Sequence, residues 1–153
     1  MAYAVVLVRG MVNTRQEIRD TLRKLRLTRV NHCVVVPESD TFKGLLRTAQ
    51  GYVTWGEIDR DTLETLLLKW GRFEGDVPVT KKEIEARTGM SWDAFLDAVL
   101  KGEISLSNLG IKPFRLHPPR KGYGRGGVKR QFTEGGALGY RGEHINELLR
   151  RMI

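Results

Sequence analysis

A chain of 153 residues carrying 26 Lys or Arg against 18 Asp or Glu, net +8, can build one domain, or one domain plus an insertion, and suits an acidic partner. A membrane partner is disfavoured: no apolar run approaches the roughly 18 residues that span a bilayer, Met1 to Val8 lacks a leading basic region and meets Arg9, and no lipidation motif occurs. The single cysteine, Cys33, has no internal disulfide partner and sits in an apolar run, as expected of a buried, reduced thiol in a cytosolic protein.

In chain order, Ala4 to Val8 is an apolar run of strand length. Thr14 and Glu17 have capping-box spacing and predict a helix burying Ile18, Leu22 and Leu25. Its other face carries Arg15, Arg19, Arg23 and Arg26, a row able to follow a phosphate backbone or simply to face solvent. Cys33 to Val36, stopped by Pro37, is a second strand. A second helix follows Ser39-Asp40 and buries Phe42, Leu45, Leu46 and Ala49. Gly51 ends it before a third strand, Tyr52 to Trp55. Three strands with two helices crossing one face make a small open α/β sandwich.

The next segment reads as all helical. Asp59 caps a helix burying Leu63, Leu66, Leu67 and Trp70 and stopped by Gly71. Thr80 and Glu83 form another capping box before Ile84. Ser91 caps a helix with Trp92, Phe95, Leu96, Val99 and Leu100 inside. These aromatics are expected to make a small core. Residues 80–101 also resemble a helix-turn-helix DNA reader, which makes a DNA-binding regulator the alternative reading. That motif needs donors at the exposed start of its second helix. The chain offers Trp92, Asp93 and Asp97 there, and carboxylates repel a phosphate wall.

Phe114 to His117 is a further candidate strand, stopped by Pro118-Pro119, and Gly142 to Met152 a terminal helix. Between them lies the most telling stretch. Lys112 to Thr133 holds seven Lys or Arg and no Asp or Glu, interleaved with Phe114, Tyr123 and Phe132 and with Gly122, Gly124, Gly126 and Gly127. Guanidinium forks match phosphate oxygens, aromatic rings stack on bases, and glycines admit close backbone approach. Such like charge repels itself and is expected to order fully only against a polyanion.

Charge falls in three blocks. Residues 1–56 are net +5, residues 57–103 net −4 and residues 104–153 net +7, so the middle block reads as an insertion facing solvent or a basic protein neighbour. A search for chemistry finds no catalytic constellation. Gly122 to Gly127 lacks the β-α-β frame of a dinucleotide loop, and His32, His117 and His144 with Cys33 lack metal-ligand spacing. His32 reads as a strand-edge residue, His144 as a surface residue, and His117 as structural or a phosphate donor. Neither cofactor, metal nor small-molecule substrate is expected.

Arg9 to Gln16, then Thr21 to Asn31, then the strand ending at Pro37, resemble the L-thirty family of large-subunit ribosomal proteins. Phe114 to Gly122 and Phe132 to Gly142 resemble its longer archaeal and eukaryotic branch, and the missing basic N-terminal extension resembles the archaeal form. The resemblance implies an α+β fold: a β-α-β-α-β core over 1–56 similar to a ferredoxin-like fold, an acidic helical insertion over 57–110, and over 111–153 a strand, a basic loop and a terminal helix. It implies a non-enzymatic structural component of the cytoplasmic ribosome that binds large-subunit rRNA, with neighbouring ribosomal proteins reached through the insertion. It carries RNA contacts to Arg9, Asn13, Thr14 and Arg15, to Arg19, Arg23, Arg26 and Arg29, and to the loop from Pro118 to Arg130. On these grounds the expected RNA-binding set is completed by Arg115, His117, Arg120, Lys121, Tyr123, Arg125, Lys129, Arg130 and Arg141.

Overall fold

The computed structural model describes residues 2–123 and 125–153; Met1, at the head of the apolar opening run, and Gly124 of the basic loop lie outside them. The fold is α+β, a five-stranded mixed sheet with helices on both faces. Strand β1 (Ala2–Leu7) lies in the middle, antiparallel to β2 (His32–Pro37) and to β3 (Val53–Glu57). Two short strands flank them: β6 (Phe114–Arg115), antiparallel to β2, and β7 (Gly139–Tyr140), parallel to β3. Helices α1 (Gln16–Lys24) and α2 (Asp40–Thr48) connect the first three strands. Then come α3 (Arg60–Trp70), a hairpin of β4 (Arg72–Phe73) and β5 (Val77–Pro78), α4 (Lys81–Thr88), α5 (Trp92–Leu100) and the terminal α6 (His144–Met152).

Every residue of β1 is buried, because apolar side chains occupy both parities of the strand. Tyr3, Val5 and Leu7 pack with Leu22, Leu25, Leu46 and Ala49 of α1 and α2. Ala2, Ala4 and Val6 face the other way, into a core shared with Leu66, Leu67, Phe95, Leu96, Leu148 and Leu149. An open sandwich with helices on one face is therefore corrected to a sheet covered on both. The helices of the acidic segment do not enclose a small core of their own; they supply the second layer. The Cys33 thiol lies in that layer, free and fully buried, and burial pushes its pKa up to about 12.

Local signals hold at four helix starts. The side chains of Ser39, Asp59, Thr80 and Ser91 accept from the backbone N–H three residues on, each worth about 1 kcal/mol. At Thr80 the box is half made, since Glu83 pairs with Arg87 instead of reaching back. The predicted Thr14 cap is corrected: Arg15 stands at the N-cap position, with no side-chain cap. A turn in which Thr14 N–H meets the Met11 carbonyl at 3.3 Å carries Thr14 inside. The all-helical reading of 57–103 is also corrected by the β4–β5 hairpin. Its three-residue loop places Gly75 and Asp76 at positive φ, a turn signal hidden between helical patterns.

Candidate nucleic-acid interface

Strand directions decide where the basic residues meet. β1 ends at Leu7, while β2 and β3 both begin beside that end. β7 also begins there, and α6 ends there, with Arg151 donating to the carbonyls of Arg120 and Gly122. Three chain segments therefore emerge at one end of the sheet: 8–15, 28–31 and 116–138.

The first segment brings Arg9, whose guanidinium lies 5.1 Å from the Tyr52 ring centroid and donates to the Gly51 carbonyl at 3.2 Å. It also brings exposed Asn13 and Arg15. The second brings exposed Arg29 and ends at Asn31, whose side-chain oxygen accepts from the Tyr123 hydroxyl. The third brings Arg120, Lys121, Arg125, Lys129 and Arg130, and Arg115 ends β6 just before it, all exposed. Its backbone is tied rather than loose: Gly126 N–H donates to Gly135, Ala137 to Gly127 and Leu138 to Arg130, at 2.9 to 3.1 Å. Val8, Ala137 and Leu138 form a small apolar knot beneath it. The loop thus has an anchored main chain and, among the described residues, cationic side chains without ion pairs, more order than its charge alone predicts.

The opposite end of the sheet is acid-rich. Glu38 follows β2 and pairs with Lys43 at 3.3 Å, Glu57 closes β3 and accepts from the Tyr140 hydroxyl, and Asp59 pairs with Arg150 at 3.3 Å. Glu143 opens α6 at the same end, where Asn146 donates to the Glu57 carbonyl.

Backbone strain accompanies several predicted contacts. Asn13, Arg26 and Lys121 all have φ near +60°. Asparagine tolerates that region, but for Arg26 and Lys121 it costs roughly 1 kcal/mol. Arg26 fills the position after the α1 C-cap where glycine is usual, with Leu27 N–H reaching the Leu22 carbonyl at 2.9 Å.

A family model described as Ribosomal protein L30p/L7e matches residues 3–53. The large ribosomal subunit protein uL30 of Methanococcus vannielii is 52% identical over the whole of both chains. That of Methanoculleus marisnigri is 50% identical across 98% of this chain and 99% of its own. That of Nanoarchaeum equitans is 46% identical across 99% and 98%. This chain belongs to the L30p/L7e family.

The family model ends where β3 begins, so it describes β1 to α2 and their connections. The full-length likeness to uL30 proteins adds the acidic helices and the basic loop.

Within this member of the family, five predicted contact residues, Thr14, Arg19, His117, Tyr123 and Arg141, are buried or engaged with the protein itself. Thr14 is 8% exposed and Arg141 5% exposed, so each offers little surface at this end of the sheet. Arg141 donates to the Thr54 hydroxyl and the Ala137 carbonyl, each at 2.8 Å, and lies 4.7 Å from the Phe132 ring centroid. Burial, then the nearby Arg151 charge, lowers its pKa to about 10. An arginine beside a basic loop reads as a phosphate contact, and only its place just after β7 marks it as a pin. Tyr123 is half-buried against both the larger core and the Val8 knot, and burial raises its phenol to about 12. Arg19 is half-buried, donating to the Met11 carbonyl at 3.2 Å. Arg23 is exposed beside Asp20 at 3.8 Å, while Arg26 donates to the Ile111 carbonyl at 3.3 Å, away from the main cluster. The His117 ring is wedged between the Pro118 and Ile153 carbonyl oxygens, at 2.8 and 3.0 Å. Asn31 was missed as the loop's anchor; its left-handed φ of 71° at a turn is the available signal.

The helix-turn-helix alternative loses its reading surface. Trp92 is buried and donates to Glu64 at 3.1 Å. Asp93 and Asp97 both pair with Arg60 of α3, at 2.7 and 2.8 Å. The exposed start of α5 is thus committed to its neighbouring helix.

Proposed function

We propose that this chain is a structural constituent of the large ribosomal subunit in the cytoplasm, holding large-subunit rRNA against the cationic end of its sheet and catalysing no reaction. The observation that carries this reading is the convergence of three segments on that end, with anchored backbones and exposed guanidinium and ammonium groups. Rigid cations docking on folded RNA favour recognition by shape and phosphate position over base sequence. The full-length likeness to archaeal uL30 proteins supports the same assignment.

The proposed contact set is Arg9, Asn13, Arg15, Arg23, Arg26, Arg29, Arg115, Arg120, Lys121, Arg125, Lys129 and Arg130. Arg19, His117 and Tyr123 shape the surface from beneath. We read residues 1–56 as the RNA-facing core, similar to a ferredoxin-like fold. Residues 57–110 form the acidic insertion, turned toward solvent or a basic ribosomal neighbour, and 111–153 the loop and helix that close the sheet.

The test is sedimentation of tagged protein with large subunits at moderately high salt, beside a variant with Arg120, Lys121, Arg125, Lys129 and Arg130 all changed to Ala. The wild type should co-migrate stoichiometrically, and the variant should be folded and largely lost from the subunit. Migration of the wild type as a free protein would end the ribosomal reading; normal incorporation of the variant would remove the loop from it.

A further inference from the structure

Outside the cationic end, one concavity combines an aromatic surface with unpaired positive charge. It lies between the end of α3, the β4–β5 hairpin and the approach to β6, and is lined by Trp70, Arg72, Asp76, Lys112, Pro113 and Arg115. Its volume of about 390 Å³ is at the lower end of the ~300–1,000 Å³ typical of small-ligand clefts, the scale of one nucleotide. The walls are fixed to each other: Lys112 N–H donates to the Arg72 carbonyl at 2.9 Å, and Phe73 bridges to Ile111.

Trp70 is partly exposed, yet its indole N–H is buried and has no acceptor among the described residues. The surface it shows to solvent is therefore ring carbon. His117 packs against the ring with centroids 6.2 Å apart and planes at 69°, which limits its tilt. Around it stand three cations and a single carboxylate. Among the described residues none of the three cations forms an ion pair. Arg72 makes one bond, to the Gly71 carbonyl at 2.9 Å, which leaves most of its donors free. A flat apolar ring flanked by free cations suits a nucleobase with its attached phosphates.

The concavity is also continuous with the cationic end. Arg115 faces His32 across the β2–β6 pairing, next to Asn31 where the loop is anchored. One strand of RNA leaving the loop can pass Arg115, which lines both, and enter the concavity.

We infer that this concavity receives a single extruded rRNA nucleotide, its base lying on Trp70 and its phosphates on Arg72, Lys112 and Arg115. The inference rests on the RNA-binding reading above and adds a contact from the segment whose overall charge is negative. It gives the acidic insertion a local RNA-facing edge at the junction of the hairpin with residues 112–115.

The experiment compares wild type, Trp70→Leu, the Arg72→Ala/Lys112→Ala double variant and the five-residue loop variant for binding to purified large-subunit rRNA across a salt series. Indole fluorescence is followed in parallel. Trp55 and Trp92 are buried, so quenching by RNA should come from Trp70. Trp70→Leu should lose the quenching and weaken binding about tenfold. The double variant should lower the log–log salt slope by about 1.4–1.8, from roughly 0.7–0.9 per phosphate. Both variants should keep the wild-type circular dichroism; the double variant changes only partly exposed side chains, so it tests the site even where Trp70→Leu unfolds. Wild-type affinity and slope in the double variant, beside loss of binding in the loop variant, would overturn the pocket and leave the RNA reading standing. Absence of rRNA binding by the wild type would overturn both. Protection of Trp70 from oxidation in assembled subunits but not on naked rRNA would assign the concavity to a protein neighbour and overturn the nucleotide proposal.

Discussion

Arg141 donates its Nε–H to the Thr54 hydroxyl at 2.8 Å, and Thr54 in turn donates to the Gly139 carbonyl at 2.8 Å. The chain between β7 and α6 is thus locked to β3 by a closed set of buried bonds. Arg141→Met removes the donors and leaves the Ala137 carbonyl without its partner. The expected loss is about 2–4 kcal/mol, read by denaturant unfolding. The salt slope of RNA binding should stay unchanged in folded protein; a drop of about 0.7–0.9 would mark Arg141 as a phosphate ligand after all.

Arg60 provides the contrast. Its guanidinium contacts two carboxylates, but all three side chains are substantially exposed. Solvent screens such pairs, so Arg60→Ala should cost less than about 1 kcal/mol. The same denaturant assay decides; a loss as large as that of Arg141→Met would show that the α3–α5 contact depends on this arginine.

Arg26 separates stability from binding. Replacing it with glycine relieves the left-handed φ of 63° and should stabilise the fold by about 0.5–1 kcal/mol. The same change should weaken rRNA affinity, since an exposed cation is lost. A variant more stable and equally tight would make Arg26 a purely structural oddity.

His32 confers a pH dependence. Burial, followed by the charges of Arg115 and Arg29, lowers its pKa, and its buried Nδ1 has no partner among the described residues. The unfolded chain therefore takes up a proton where the folded chain does not. Stability is complete above the unfolded pKa of about 6.5 and declines as pH falls below it. His32→Gln should flatten unfolding free energy measured from about pH 7 down to about pH 5. Phosphates neutralising Arg29 and Arg115 should also reduce this acid sensitivity, so bound RNA and the substitution act in the same direction.

Gly56 in β3 faces the turn leading into α6 so closely that an added Cβ would overlap the Gly142 carbonyl oxygen. Backbone cannot yield as a side-chain tip can. Gly56→Ala should therefore cost at least about 3 kcal/mol and free the terminal helix first, visible as early loss of amide protection in Ile145 to Met152.

Strands β1 to β3 and the helices between them were legible because apolar periodicity and turn residues agree there. Ser39, Asp59, Thr80 and Ser91 announced their helices through local chemistry alone. The second layer was not legible as such: alternate residues of β1 are apolar on both faces, which sequence cannot distinguish from an ordinary buried run. β7 is two residues long and parallel to β3, a pairing set by tertiary contacts that no periodicity encodes. Charge located the cationic loop but not the roles within it. Exposed Arg130 and buried Arg141 look alike in sequence, and only the Thr54 hydroxyl and Ala137 carbonyl separate them. Helical spacing places Trp70 in a core, yet part of its ring faces the Arg72–Lys112 concavity.

The two ends of the sheet differ in sign across the six residues of β1, about 20 Å at roughly 3.4 Å per residue. That exceeds two Debye lengths at physiological salt, about 8 Å each. A phosphate-lined surface therefore attracts the near end before it senses the far one, and a molecule arriving the wrong way round is turned by the resulting torque. Orientation is selected during diffusion, ahead of any contact, so collisions that begin loop-first are enriched and association quickens as salt is lowered.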